Sequence, residues 1–265
     1  MDVPSTITVK GTEMIYIPSG EFLTGSDETT DEKPPHEVYL DGFYIARYPV
    51  TNGQYRGFVA ATEHRSPLHW KGKQVQARAG GPFHWKAGTY PEDKGDHPVV
   101  CVSWHDALAY CSWLREEVGQ EIRLPTEAEW EKAARGTDGR ANPWGDEFDR
   151  SKCNTKQLVR YHAAPVGIGD TTPVGKYSPE GDSPYGVADM EGNVWEWCSS
   201  LKMDYPYNPD DGREDLEAVG SRILRGGSFS NIGPVRCAYR ERGDPDNSSL
   251  NYFGFRVVVS RGFLE

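Results

Sequence analysis

The sequence has few of the features that assign a function at once: paired cysteines, long apolar runs and an excess of basic charge. Its five cysteines lie far apart without a C-x-x-C pair, so neither a disulfide framework nor a zinc cluster is predicted. No apolar stretch approaches the length of a membrane span, and the N-terminus lacks the basic and apolar regions of a signal peptide. The net charge of -11 argues against a nucleic-acid partner. We therefore expect a cytoplasmic protein without a membrane span.

What the sequence does contain is typical of a globular protein rich in loops. Charged residues make up 26% and aromatic residues 12% of the chain, which is the composition of a folded domain. The 29 glycines and 19 prolines divide the chain into short elements. Since no segment reads as a long linker, we predict one α+β domain that spans residues 1–265.

Local patterns predict three helices and several short strands. Ser103 precedes Asp106 by three positions and Thr126 precedes Glu129 by three, which is the spacing of a capping box. A shorter helix is expected to begin at Thr51 or Asn52. Alternating apolar residues predict strands in four segments: 14–18, 20–25, 36–45 and 255–259.

Nine short blocks follow one another along most of the chain. They are Pro18–Phe22, Tyr48–Asn52, His97–Val99, Val102–Trp104, Arg123–Glu131, Pro143–Gly145, Gly192–Trp197, Arg225–Ser228 and Gly254–Arg256. Together they resemble the formylglycine-generating enzyme, or sulfatase-modifying factor, domain family, over roughly residues 12–260. The resemblance implies a C-type-lectin-like α+β fold that is loop-rich and has little regular secondary structure.

The residues that carry chemistry in the enzymes of this family are missing here. In its copper-dependent members, two cysteines five residues apart follow the Arg-Gly-Gly-Ser block, and thiolates suit Cu(I) because it is a soft ion. The matching positions hold Asn231 and Arg236, and Cys237 stands alone one residue further on. The seven histidines show no paired spacing for the iron site of another branch. We therefore predict no catalytic residues and no required cofactor, with Cys237 as a buried structural thiol.

A third branch of the resemblance fits the C-terminal part of the chain better. In diversity-generating retroelements, a reverse transcriptase rewrites a segment of a variable protein, and that segment begins at Gly-Gly-Ser and ends at Gly-Phe-Arg. The corresponding segment here is 226–256. The resemblance implies a non-enzymatic binding protein with a variable C-terminal surface for an unidentified protein or other macromolecule. The alternatives are a metal-dependent oxidoreductase of this family with a rearranged site and an interaction domain without a variable segment.

The candidate ligand-binding residues mix small polar side chains with a few aromatic anchors, as a binding surface requires. They are Phe229, Ser230, Asn231, Ile232, Val235, Tyr239, Glu241, Gly243, Ser248, Ser249, Leu250, Asn251 and Tyr252. We expect their side chains to cluster on one exposed face, while the Arg-Gly-Gly-Ser and Gly-Phe-Arg blocks on either side are buried.

The resemblance also implies a structural calcium site around the Gly-Asn-x-Trp-Glu block, since calcium prefers oxygen ligands. Position matching assigns the side chains of Asp189 and Glu196 and the carbonyls of Gly192 and Val194 as its ligands. A second site beginning at Asn154 does not align well. The alternative for Asp189 and Glu196 is a hydrogen-bonded turn without a metal ion.

Overall fold

Capping boxes begin the three helices of the computed structural model, which describes residues 3–67, 85, 88–156, 167–247 and 250–260. The side chains of Thr51, Ser103 and Thr126 each accept a hydrogen bond from the backbone three residues on. The helices are α1 (Asn52–Thr62), α2 (Trp104–Val118) and α3 (Glu127–Arg135). All three helix predictions are confirmed.

Short strands form three sheets in the described part of the chain. The strands are β1 (Thr6–Val9), β2 (Thr12–Ile17), β3 (Gly20–Thr24), β4 (His36–Leu40), β5 (Phe43–Ala46), β6 (Ile122–Arg123), β7 (Trp195–Leu201), β8 (Arg222–Arg225), β9 (Glu241–Gly243), β10 (Phe253–Gly254) and β11 (Val258–Ser260). The first sheet has the order β1-β2-β5-β11-β6, the second has the order β10-β7-β8-β9, and β3 pairs with β4. These short elements between long loops confirm the predicted α+β class.

Two strand predictions need correction. The predicted strand 36–45 is two strands, β4 and β5, which are separated by Asp41 and Gly42 and belong to different sheets. A Cβ atom on Gly42 would meet the Tyr16 hydroxyl at 2.4 Å. The predicted strand 255–259 begins only at Val258. The chain leaves the ladder before that point, where the Arg256 guanidinium donates to the carbonyls of Ala46 and Ala188.

The aromatic core lies between the two larger sheets and helices α1 and α2. Phe255 packs edge-on against Tyr110, with ring centroids 5.3 Å apart, and Tyr110 is stacked on Tyr55 at 5.9 Å. Trp195 and Trp197 are 5% and 0% exposed, so they belong to the core. The C-terminal Gly-Phe-Arg block is thus inserted between the first helices and the second sheet.

Helix α3 is unusual because it is buried on every side although it carries five charged residues, Glu127, Glu129, Glu131, Lys132 and Arg135. Buried charges are costly unless each is paired and hydrogen-bonded. Each carboxylate of this helix has such partners, and those of Glu127 and Glu131 include arginines from distant parts of the sequence.

Glu127 and Glu131 hold the largest group of buried ion pairs. Glu127 accepts from Arg240 at 2.7 and 2.9 Å and from Arg213 and Arg225, both at 3.3 Å. Glu131 accepts from Arg225 at 2.8 Å, and also from Arg135 at 2.8 Å. The acidic face of α3 therefore forms ion pairs with both β8 and the segment that leads to β9.

A second pair joins the Gly-Phe-Arg block to β7. Arg256 forms a bidentate pair with Glu196, at 2.6 and 2.7 Å, and the indole nitrogen of Trp130 donates to the same carboxylate at 2.8 Å. Arg256 and Glu196 are fully buried. Helix α3, β7 and the C-terminal block are therefore linked through one carboxylate.

We expect Glu127→Ala to destabilise the protein by at least about 3 kcal/mol, because removal of one partner leaves buried guanidinium groups uncompensated. The exposed pair of Lys10 and Glu117 provides the control, and Glu117→Ala should change the free energy of unfolding by no more than about 1 kcal/mol. Urea unfolding followed by tryptophan fluorescence measures both. Equal, small effects of the two substitutions would contradict a structural role of the Glu127 network.

Candidate functional site

The C-terminal segment 226–256 leaves β8 through two glycines that no other residue can replace without strain. Gly226 and Gly227 have φ angles of 89° and 74°, in the left-handed region that favours glycine. A Cβ atom on Gly226 would lie 2.9 Å from the Trp130 ring, and one on Gly227 would lie 2.7 Å from a methyl group of Val235. Close packing on both sides therefore fixes the direction in which the segment begins.

The next turn is closed by Asn231, one of the two residues at the positions of the copper-binding cysteines. Its side-chain oxygen accepts from the backbone and hydroxyl of Ser228, at 2.8 and 2.9 Å. Its carbonyl accepts from the Lys156 amide at 2.8 Å, and Lys156 forms a β-bridge with Ile232. Asn231 thus has a structural role in the turn that fixes residues 228–232.

The other candidate positions for copper binding are also used for structure. Arg236 donates to the buried carboxylate of Glu32 at 2.8 Å. Cys237 is 1% exposed, and its amide donates to the carbonyl of Ala141. Burial raises the pKa of the Cys237 thiol well above its usual value, so it is held in the unreactive, protonated form.

The structure places the predicted ligand-binding residues in three classes of exposure. Ile232 is 52% exposed. Seven others are half-buried, with part of the side chain at the surface: Ser230, Asn231, Tyr239, Glu241, Leu250, Asn251 and Tyr252. Ser248 and Ser249 lie outside the described residues.

Three of the predicted surface residues are buried, so the prediction is wrong for them. Phe229 is 4% and Val235 6% exposed. Val235 packs on Gly227, and its amide donates to Glu191 at 3.0 Å. Gly243 lies over the ring of Trp197, which a Cβ atom would meet at 2.3 Å. The sequence could not separate these anchors from their half-exposed neighbours, because the segment has no periodic pattern.

Glu191 is a buried carboxyl group beneath this segment that the sequence analysis did not single out. It is 2% exposed. One oxygen accepts from the Val235 amide, while no partner in the described residues satisfies the other. Desolvation raises the pKa of Glu191 to about 8. The carboxyl group is therefore neutral in the folded protein over most of the physiological range.

We expect Glu191→Gln to stabilise the protein at neutral pH. The folded-state pKa of about 8 lies above the ordinary value of 4.5, so the proton stabilises the folded state fully below pH 4.5 and this contribution is lost as the pH rises to 8. Each pKa unit corresponds to about 1.4 kcal/mol. The advantage of the variant in urea unfolding should therefore grow by several kcal/mol between about pH 5 and pH 8. A difference that is independent of pH would contradict this account.

The predicted calcium ligands do not form one set of free oxygens. Both oxygens of Glu196 accept from Arg256, and one also accepts from Trp130, so this side chain is engaged in an ion pair, and its role as a calcium ligand stays a prediction. Asp189 accepts from the Gly175 amide at 2.7 Å. The carbonyls of Gly192 and Val194 stay a prediction. The geometry favours the hydrogen-bonded turn.

A separate cavity of about 370 Å³ contains none of the predicted ligand-binding residues. It is lined by Arg150, Ser151, Cys153, Asn154, Thr155, Ile168 and Tyr177. Asn154 turns its amide group away toward the carbonyl of Asp170 and the side chain of Asn193, at 2.9 and 3.2 Å.

The described helices include none long and apolar enough to cross a membrane.

Comparison with known proteins confirms the resemblance drawn from the nine blocks. The sequence pattern of the sulfatase-modifying factor enzyme 1-like domain matches residues 2–261. The formylglycine-generating enzyme of Streptomyces coelicolor is 35% identical over 92% of this chain and 88% of its own length. The serine/threonine-protein kinase Pkn1 of Chlamydia trachomatis is 36% identical over 93% of this chain, which spans only 38% of the kinase.

Two solved structures have the same fold. PvdO from Pseudomonas aeruginosa is 28% identical, with a TM-score of 0.75 over 98% of this chain and 100% of its own. Treponema denticola variable protein 1 is 23% identical, with a TM-score of 0.66 over 96% of this chain and 98% of its own. The predicted fold is therefore confirmed.

Proposed function

The chain belongs to the sulfatase-modifying factor enzyme 1-like domain family, and we propose that within this family it is a binding protein rather than a copper-dependent oxidase. The observation that carries the proposal is the use of Asn231, Arg236 and Cys237 for structure. The first closes a turn, the second pairs with Glu32 and the third is buried as a thiol. A soft Cu(I) ion requires accessible thiolates, and this segment supplies none at those positions.

The same segment has the properties of a binding surface on a rigid support. Arg225 and Arg256, which lie at its two ends, are 0% exposed and paired with buried carboxylates. Within the segment, buried anchors such as Val235 and Arg240 alternate with half-exposed side chains. Substitution of the half-exposed side chains can change what is bound, while the anchors keep the backbone in place. We propose a protein partner for this surface.

We also propose that a retroelement varies the side chains of this surface. It is supported by the matching positions of the Gly-Gly-Ser and Gly-Phe-Arg blocks, and the fold shared with Treponema denticola variable protein 1 is consistent with it. Sequencing of the genomic locus tests it directly. We expect a near-identical repeat of the 226–256 coding segment and a reverse-transcriptase gene nearby. A locus with neither favours an invariant interaction domain.

The buried anchors of this segment should contribute much more to the free energy of unfolding than its surface side chains. The triple variant Ile232→Ala, Glu241→Ala and Asn251→Ala should lose no more than about 0.5 kcal/mol per substitution, since these side chains lie wholly or partly at the surface, where substitutions change stability little. Phe229→Ala alone should lose about 3–5 kcal/mol, because it empties a buried site. Urea unfolding of the two proteins makes the comparison. A triple variant that unfolds as readily as Phe229→Ala would show that the segment is ordinary core.

The competing enzymatic function has support from the identity to a formylglycine-generating enzyme. We expect no stoichiometric Cu(I) binding in competition with a chromophoric chelator and no conversion of a cysteine peptide to an aldehyde in the presence of copper and oxygen. Cys237→Ser is the matched control, because Cys237 is the cysteine nearest to the lost pair. Copper uptake that disappears in this variant, together with turnover, would overturn the binding-protein proposal.

A further inference from the structure

Glu241 occupies a distinctive position on the second sheet. It pairs across the ladder with Leu224, and Leu224 pairs with Trp197 on the next strand. Residues opposite each other in a sheet share a face, so the carboxylate stands at the end of a row of apolar side chains. Gly243, two residues on, has no side chain, and the Trp197 ring fills its place. The carboxylate therefore borders an aromatic surface.

Two half-buried tyrosines lie near this carboxylate. The Tyr239 ring packs on Trp195, with centroids 5.9 Å apart, and the Tyr252 ring packs edge-on against Phe253 at 5.3 Å. Burial raises the pKa of both tyrosines, and the Glu241 charge raises each of them further. Although the two tyrosines are thirteen residues apart in the sequence, both pack against the apolar cluster that contains Trp197 and Leu224, and Leu224 is the residue that Glu241 faces across the ladder.

The charge of Glu241 is not neutralised within the described residues. Its only partner there is the Arg242 amide, at 2.9 Å, and no cationic side chain pairs with it. The neighbouring charges are committed elsewhere: Arg236 pairs with Glu32, and Asp31 pairs with Lys202. Arg242, the next residue along β9, projects to the opposite face of the strand.

An unpaired carboxylate beside two aromatic rings has a specific complement. A guanidinium or ammonium group can form a charge-assisted hydrogen bond with the carboxylate and a cation–π contact with a ring. Arginine suits such a site better than lysine, because its planar group stacks on rings and pairs in a bidentate manner. The net charge of -11 on the whole chain also favours the approach of a basic partner.

We propose that Tyr239, Glu241 and Tyr252 form a subsite that binds an arginine side chain of a partner protein. The inference rests on the proposed binding function of this surface and names the chemistry that the surface recognises. Glu241 supplies the negative charge, and the two tyrosines supply the ring faces and exclude water. The subsite accounts for why two half-buried tyrosines lie near a carboxylate that no cationic side chain of the described residues neutralises.

A random twelve-residue peptide library displayed on phage provides the test. We expect selected peptides to be enriched in arginine and to lose at least about tenfold in affinity when that arginine is replaced by citrulline, its uncharged analogue. Glu241→Gln should weaken binding by a similar factor. Glu37→Gln, at an exposed position on β4, is the matched control and should have no effect.

The outcomes separate this inference from the proposed function. Peptides that lose binding in Ile232→Ala or Tyr252→Ala, but contain no arginine and ignore Glu241→Gln, would overturn the arginine subsite and support the binding surface. Equal affinity of the citrulline and arginine peptides would also overturn the subsite. If no peptide depends on any residue of the surface, both proposals fail. Circular dichroism of each variant checks that the fold is retained.

Discussion

The pairing of Glu127 with three buried arginines is the interaction on which the rest of the structure depends. Arg213, Arg225 and Arg240 come from three separate segments, and each reaches the same carboxylate. A charged group at such depth is tolerated only where every partner is in place. The network therefore specifies one arrangement of helix α3, β8 and the start of the C-terminal surface, since any other arrangement would leave a buried charge unpaired.

This arrangement explains how a surface can change without loss of the fold. The anchors of the C-terminal segment, such as Val235 and Cys237, are held by backbone hydrogen bonds to Glu191 and Ala141. These contacts do not involve the side chains of Tyr239 or Tyr252, which lie half-exposed between the anchors. Stability and recognition are thus assigned to different side chains of one segment, which is the division that a binding protein with a replaceable surface needs.

The sequence predicted the helices well because capping is local: the residues that begin α2 and α3 lie within one turn of each other. The blocks were sufficient to predict the family. They did not indicate which of their charged residues pair with one another. Arg240, at the end of Cys-Ala-Tyr-Arg, pairs with Glu127, which precedes it by 113 residues. Such a contact exists only in the folded chain. The burial of Phe229 and the occupation of Glu196 by Arg256 were missed for the same reason, because no local pattern reports a distant partner.

Native-state hydrogen exchange of the C-terminal segment is the most direct test of this account. If the buried charge network fixes the segment, the amides of Val235 and Cys237, which donate to Glu191 and Ala141, will exchange only through global unfolding. Their exchange free energies will then equal the free energy of unfolding and fall with it in Glu127→Ala. Exchange of these amides by local opening, at rates that Glu127→Ala does not change, would contradict the account.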